Sequence, residues 1–318
     1  MAAATRSLLD RRLLFVTGKG GVGKTTVASA IAMMAAHEGR RTLVCEVDAK
    51  GNLAEAFGVG ELKFAPTEVQ SGLFAMAMDT EESLKEYLKL QLKVPLLSRL
   101  GPLAKTFDFV ATAAPGVKEI LTVGKLAYEV REDNYDLVVV DASATGHVVG
   151  QLASPVAMSE LVGVGVVRQQ TAWMTDMLTD PAITGVVIVA TPEEMPVNET
   201  LELVDRLDAE TGIDIAAVIA NRVLPELFGR GEEAVFDEID TPAGREVLAK
   251  AAGEGSGLVI DAAGLAVRLR RSRAVHLATL RDQLPPRVPL LFLPYLFTKS
   301  HGIRTTRRVA DHLAEEIL

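Results

Sequence analysis

Gly18-Lys19-Gly20-Gly21-Val22-Gly23-Lys24-Thr25-Thr26 is the stretch that decides how this chain is read. It follows the pattern glycine, four residues, then Gly-Lys-Thr, which cradles phosphate when it joins a strand to a helix. Both neighbours are present. Leu13-Leu14-Phe15-Val16 upstream has the length and apolarity of a buried strand, and a helical pattern runs from Thr25 to His37. Glycines let backbone N–H groups turn inward around phosphate oxygens, and the helix adds the positive end of its dipole. Lys24 then reaches the β- and γ-phosphates while the Thr25 hydroxyl joins a Mg²⁺ shell. Gly18, Lys19, Gly20, Gly21, Val22, Gly23, Lys24, Thr25 and Thr26 are the expected nucleotide contacts.

Outward from the loop, strand-like runs recur at Leu13–Thr17, Thr42–Asp48, Leu73–Met78, Leu137–Asp141, Gly185–Thr191, Ile215–Ala220 and Leu290–Pro294. Helical patterns at Lys24–Glu38, Glu81–Leu92, Val117–Arg131, Glu199–Glu210 and Thr305–Ile317 separate nearly all of them. That alternation predicts an α/β fold, a doubly wound and mostly parallel sheet of about seven strands. It reads as a single domain over 1–318. Mostly helical insertions are expected at 92–131, broken by Pro95, Pro102 and Pro115, and at 222–289.

Composition narrows the function. A net charge of −9 opposes a nucleic-acid surface. The 48% hydrophobic content suits a sheet covered on both faces, and no run reaches membrane-spanning length. The opening residues carry Arg6, Asp10, Arg11 and Arg12 into the first strand, so no signal peptide is expected. Cys45 is the single cysteine, which rules out an internal disulfide or a Cys-x-x-Cys metal site. A reducing cytoplasm is the expected compartment, with at most peripheral membrane contact.

Two strands end in acids. Val138-Val139-Val140-Asp141 is an apolar run closed by a carboxylate, the Walker B pattern, so Asp141 is expected to hold Mg²⁺ opposite Thr25. Asp48 follows the second strand at the ligand-binding edge of such a sheet. It either polarises the water that attacks the γ-phosphate or caps the helix around Leu53–Phe57.

These patterns resemble the arsenite-pump and tail-anchored-protein targeting ATPases. Lys19 is the second loop lysine that marks the deviant Walker A group to which they belong. Asp48 and Asn52-Leu53 through Ala56-Phe57-Gly58 are similar to the family's switch I, with Ala49 where relatives carry proline. Asp141 through Thr145-Gly146-His147 is similar to its switch II, with Ala144 in place of proline. Leu73–Met76 with Asp79, Thr191–Glu194 and Asn221-Arg222 resemble its other site strands. The resemblance implies an ATP- and Mg²⁺-dependent ATPase in which Asp48, Lys19 and Lys24 are catalytic. Thr25, Asp48 and Asp141 surround the metal, and Asn221 and Pro294 lie at the adenine. It also implies a homodimer, or a heterodimer with a paralogue, that rearranges with ATP to handle a protein client. Lys19 would then reach across the interface to the partner's nucleotide.

The departures from the family bear on that client. One cysteine can build neither an arsenite cluster nor an intersubunit zinc clasp, and Val148–Leu178 leaves room for little beyond crossover helices. Met158, Trp173, Met174 and Met177 form an apolar stripe in that crossover, readable as sheet-facing core or as client groove. Arg268, Arg270, Arg271, Arg273 and Arg281 read as a solvated helix face, or as a surface for anionic lipid or an acidic partner. A MinD/ParA-like positioning ATPase and a small-molecule ligase or kinase are the competing functions.

Overall fold

The computed structural model describes residues 8–48, 50–92, 116–161, 166–253, 255–298 and 302–317. Ala49, residues 93–115 of the first expected insertion and residues 162–165 of the crossover lie outside these. Among the described residues eight strands form one sheet: β1 (Leu13–Gly18), β2 (Thr42–Glu46), β3 (Thr67–Gln70), β4 (Leu73–Ala77), β5 (Leu137–Asp141), β6 (Thr184–Ala190), β7 (Ile215–Val223) and β8 (Leu290–Pro294). Their spatial order is β3-β4-β2-β5-β1-β6-β7-β8, and every pairing is parallel except β3 with β4. The strand absent from the sequence reading is β3. It carries no apolar run, lies half-exposed at the sheet edge and pairs through an irregular register, so hydrophobic periodicity does not mark it.

Side-chain alternation explains why the inner strands read as continuous apolar runs. Leu13 and Phe15 of β1 enter one core cluster and Leu14 and Val16 the other. Val138 and Val140 of β5 divide from Leu137 and Val139 in the same way. Both faces are therefore buried, as in doubly wound folds. One face is covered by α1 (Lys24–His37), α2 (Asn52–Phe57) and α11 (Ile303–Ile317). The other is covered by α4 (Val117–Arg131), α5 (Thr145–Leu161), α6 (Val166–Thr179), α7 (Glu194–Glu210) and the end of α10 (Ser256–Gln283). Helix α1 is buried from Val27 to Ala35 because the sheet takes one side and Val309, Ala310 and Leu313 of α11 take the other. A helix enclosed in this way has no need of a polar face.

Between β7 and β8 the chain forms α8 (Arg230–Ile239), α9 (Pro242–Ala252) and α10, which share a small core of Phe236, Ile260 and Val267. Arginines of α10 are largely matched within the molecule: Arg270 pairs with Glu226, Arg271 with Glu233 and Asp237, and Arg273 with Glu193. The basic stretch is thus a charge-balanced surface and not an open cationic face. Among the described residues no helix is long and apolar enough to cross a membrane. Helix α7 begins at Glu194, a turn before its expected start at Glu199, because Pro196 falls in the first turn, where its missing N–H costs no helical bond.

Candidate active site

Strands β1, β2 and β5 lie side by side and parallel, so their carboxyl ends bring the phosphate loop, Asp48 and Asp141 to one edge. Two loop glycines are there for lack of room. A Cβ on Gly18 would lie 2.2 Å from the Val189 carbonyl oxygen of β6, and one on Gly23 would lie 2.5 Å from the Asn221 amide nitrogen. Gly23 also has φ 98°, a region open to glycine at little cost. Past Gly23 the chain turns into α1, whose first residues are Lys24 and Thr25.

The Thr25 hydroxyl donates to Asp141 Oδ2 at 2.6 Å. Asp141 is 6% exposed, and its other oxygen, Oδ1, is buried without a partner among the described residues. Burial pushes the Asp141 carboxyl up to about 6, only partly offset by the Thr25 hydrogen bond and the Lys24 charge. Lys24 is pulled below the usual lysine value, chiefly by burial and against the attraction of Asp141 and Asp48. Its ammonium lies 3.5 Å from the Lys19 carbonyl oxygen, folded over the loop. A buried acid with one orphaned oxygen beside a threonine hydroxyl suits a hard divalent cation. Among the described residues no group of three or more His, Cys, Asp or Glu could hold a metal alone. Such an ion would therefore complete its shell with phosphate and water, which is how Mg²⁺ is usually bound.

A cleft of about 440 Å³ opens over the loop, floored by Gly20, Gly21, Gly23, Lys24, Thr25 and Thr26. Its walls come from Lys50, Asn52, Glu55 and Ala56 around α2, and from Gly302, Thr305 and Thr306 around the start of α11. The two walls are tied together, since the Thr306 hydroxyl donates to the Ala56 carbonyl at 3.0 Å.

The two readings of Asp48 separate here. The amides of Gly51 and Asn52, at the start of α2, donate to Glu46 at 3.2 and 3.0 Å. Glu46 is thus the cap of α2. Asp48 is exposed and faces the Lys50 ammonium at 3.7 Å. It also lines a polar chamber of about 280 Å³ with Lys118, Thr122, Ser143, His147 and Gln151. Glu46 escaped the sequence reading. Its one signal was a carboxylate inside an otherwise apolar strand, which in a buried position (2% exposed) requires partners.

The family model for anion-transporting ATPases matches residues 11–172 and 164–232. This chain belongs to that family. It is 33% identical to the ATPase BagA of Mycobacterium tuberculosis over 310 residues, 92% of this chain and 88% of that protein. It is 28% identical to the ATPase ASNA1 homolog of Cryptosporidium parvum over 270 residues, 73% of this chain and 72% of the relative. With the ATPase GET3 of Podospora anserina it shares 31% identity over 159 residues, 49% of this chain and 47% of the other. ATP hydrolysis is the activity of this member of the family.

Three expected site residues of the ATPase sit differently from the loop glycines. Lys19 points to α7, where its ammonium pairs with Glu199. Asn221 is 8% exposed and turned under the loop: its amide nitrogen donates to the Val22 carbonyl at 2.8 Å, and its oxygen accepts from the Arg222 N–H at 2.9 Å. Pro294 ends β8 opposite Val223, where the Tyr295 N–H donates to the Val223 carbonyl at 2.8 Å. Asn221 and Pro294 therefore lie on adjacent strand ends, behind the phosphate cleft and not in its lining.

Proposed function

We propose that this ATPase is Mg²⁺-dependent, works as a dimer of itself or with a paralogue, and uses ATP-driven rearrangement to handle a protein client. The observation that carries the reading is the Thr25–Asp141 pair with its orphaned buried oxygen at the mouth of the phosphate loop. Thr25 and Asp141 would hold the ion, which supplies positive charge at the transferring phosphoryl group. The chain's own groups do the rest. Loop amides cradle the phosphates, and Lys24 leaves the Lys19 carbonyl for the β- and γ-oxygens. Asp48, free of any capping duty and bordering a polar chamber, orients the attacking water. Lys19 acts on the partner's nucleotide, and Asn221 and Pro294 border the base.

The client surface in this reading is an apolar cavity of about 300 Å³ enclosed by α3 (Thr80–Leu92), α4, α5 and α6. Met158, Trp173 and Met174 line it together with Tyr87, Ile120 and Leu121, whereas Met177 packs on the main core. Three of the four stripe residues thus face a cavity. The positioning-ATPase alternative draws no support from α11, whose apolar face is taken up by α1.

ATP turnover measured with and without a chelator, alongside sedimentation in a non-hydrolysable ATP analogue, tests the proposal. Turnover should vanish with the chelator and return with Mg²⁺, and the analogue should drive pairing. Hydrolysis indifferent to chelation, or a monomer under every condition, would refute it.

A further inference from the structure

We infer that Glu199 is a positioning residue: it holds Lys19 within its own subunit and links it to switch II until the active dimer closes. Its carboxylate is divided between two elements of the site. One oxygen takes the Lys19 ammonium, and the other accepts from the Thr145 hydroxyl at 3.3 Å. Thr145 opens α5 four residues after Asp141, in the segment that resembles switch II. Glu199 lies in the second turn of α7, which begins at Glu194.

The two loop lysines therefore face opposite ways. Lys24 lies among the carboxylates of the phosphate cleft, and Lys19 is drawn aside toward α7. A lysine held by its own Glu199 has no reach left for a phosphate in a second subunit. Closure in which Lys19 crosses the interface must break this ion pair, so the pair biases the free subunit toward the open state. The Thr145 bond couples that event to the segment that resembles switch II. If switch II shifts, the carboxylate loses one of its two anchors and its hold on Lys19 loosens. The side chains are 27% and 33% exposed, so water screens the pair and its weight is limited. Pairs of this kind shift an equilibrium by about two- to five-fold.

The inference rests on the reading of Lys19 as acting across the dimer, and the test separates the two. Glu199→Gln keeps an acceptor for Thr145 and removes the charge that holds Lys19. Glu199→Asp keeps the charge but is too short to serve both partners. Dimerisation of each is measured by sedimentation with Mg²⁺ and a non-hydrolysable ATP analogue, and turnover as kcat against KM. The dimer dissociation constant should fall about two- to five-fold in Glu199→Gln, and in the same direction for Glu199→Asp. At limiting protein concentration kcat should rise with little change in KM for ATP. In a Lys19→Ala background the Glu199→Gln change should have no effect, a dependence that a merely structural role would not show. If Lys19→Ala abolishes turnover while Glu199→Gln leaves dimerisation unaltered, or shifts it equally in both backgrounds, the positioning role falls and the trans lysine stands. If Lys19→Ala turns over normally, both fall.

Discussion

Replacing Asp141 with asparagine should make this ATPase inactive and, without nucleotide, more stable. Burial raises the Asp141 carboxyl from 3.8 to about 6. At about 1.4 kcal/mol per pKa unit, keeping it ionised at pH 7 costs the fold about 3 kcal/mol relative to the protonated form. Asparagine removes the charge and retains an oxygen for the Thr25 hydroxyl. Its amide nitrogen replaces an oxygen that already lacks a partner, and that buried donor takes back about 1–2 kcal/mol. A net gain of about 1–2 kcal/mol at pH 7 is the expectation. The pH dependence is sharper. A carboxyl whose pKa is higher folded than unfolded binds its proton more tightly in the folded state. Wild-type stability therefore grows as pH falls through 6, and the gain is complete only below the unfolded value of 3.8. From pH 7 to pH 5 this one group contributes about 1.3 kcal/mol, which Asp141→Asn lacks. Urea unfolding of metal- and nucleotide-free wild type and variant at the two pH values measures the difference, with ATP turnover followed in parallel. A variant less stable than wild type at pH 7, or an equal gain on acidification in both proteins, would refute the reasoning.

Asp48→Asn should lower kcat by about 100-fold or more while the ATP dissociation constant moves by less than about threefold, because the phosphate cradle stays intact. Lost binding in an equilibrium titration would instead make Asp48 structural. Mixing Lys19→Ala with Asp48→Asn protein should restore part of the turnover, since one composite site combines an intact Asp48 with an intact Lys19; mixed dimers seen by mass measurement but inactive would count against sharing. ATP should outcompete GTP for binding once the Asn221 amide exchanges Val22 and Arg222 for the adenine edge, which its donor and acceptor match. Asn221→Ala distinguishes the two roles of this side chain. Loss of the ATP preference marks a base contact, whereas equal weakening of both nucleotides marks a prop for the loop through Val22.

The parts of the fold that were legible are those where local chemistry and burial coincide. β1 and β5 are apolar along their whole length because both of their faces are covered, so their patterns could be read without knowing their neighbours. Helices α1, α4 and α11 were legible for a similar reason, whereas α10, the longest described, was expected only as part of a mostly helical insertion. β3 showed nothing, since a half-exposed edge strand is defined by pairing to β4 and not by what it buries. The early start of α7 was hidden by Met195-Pro196, which reads as a break until its place in the first helical turn is seen.

Within the site, the one-dimensional pattern is sufficient for the loop. Gly18, Gly23, Lys24 and Thr25 are adjacent in the chain, and their roles follow from covalent spacing and backbone geometry. Asp141 was legible as a strand-end acid, because a parallel strand delivers its last residue to the same edge as the loop. What each side chain touches was decided elsewhere. Glu46 takes the first amides of α2 because β2 stops two residues short of Asp48, whereas the sequence pattern points only to Asp48 for that role. Asn221 reaches Val22 across 199 residues, Lys19 reaches Glu199 across 180, and Thr145 meets Glu199 across 54. Such contacts depend on how β6, β7 and α7 pack beside β1. That packing is a collective result of burying two sheet faces at once, so no local stretch encodes the partners. The sequence by itself determined a phosphate loop, a parallel sheet to carry it and two candidate acids. Only tertiary packing assigned Asp48 to the polar chamber, Glu46 to the helix cap and Lys19 to a carboxylate of its own subunit.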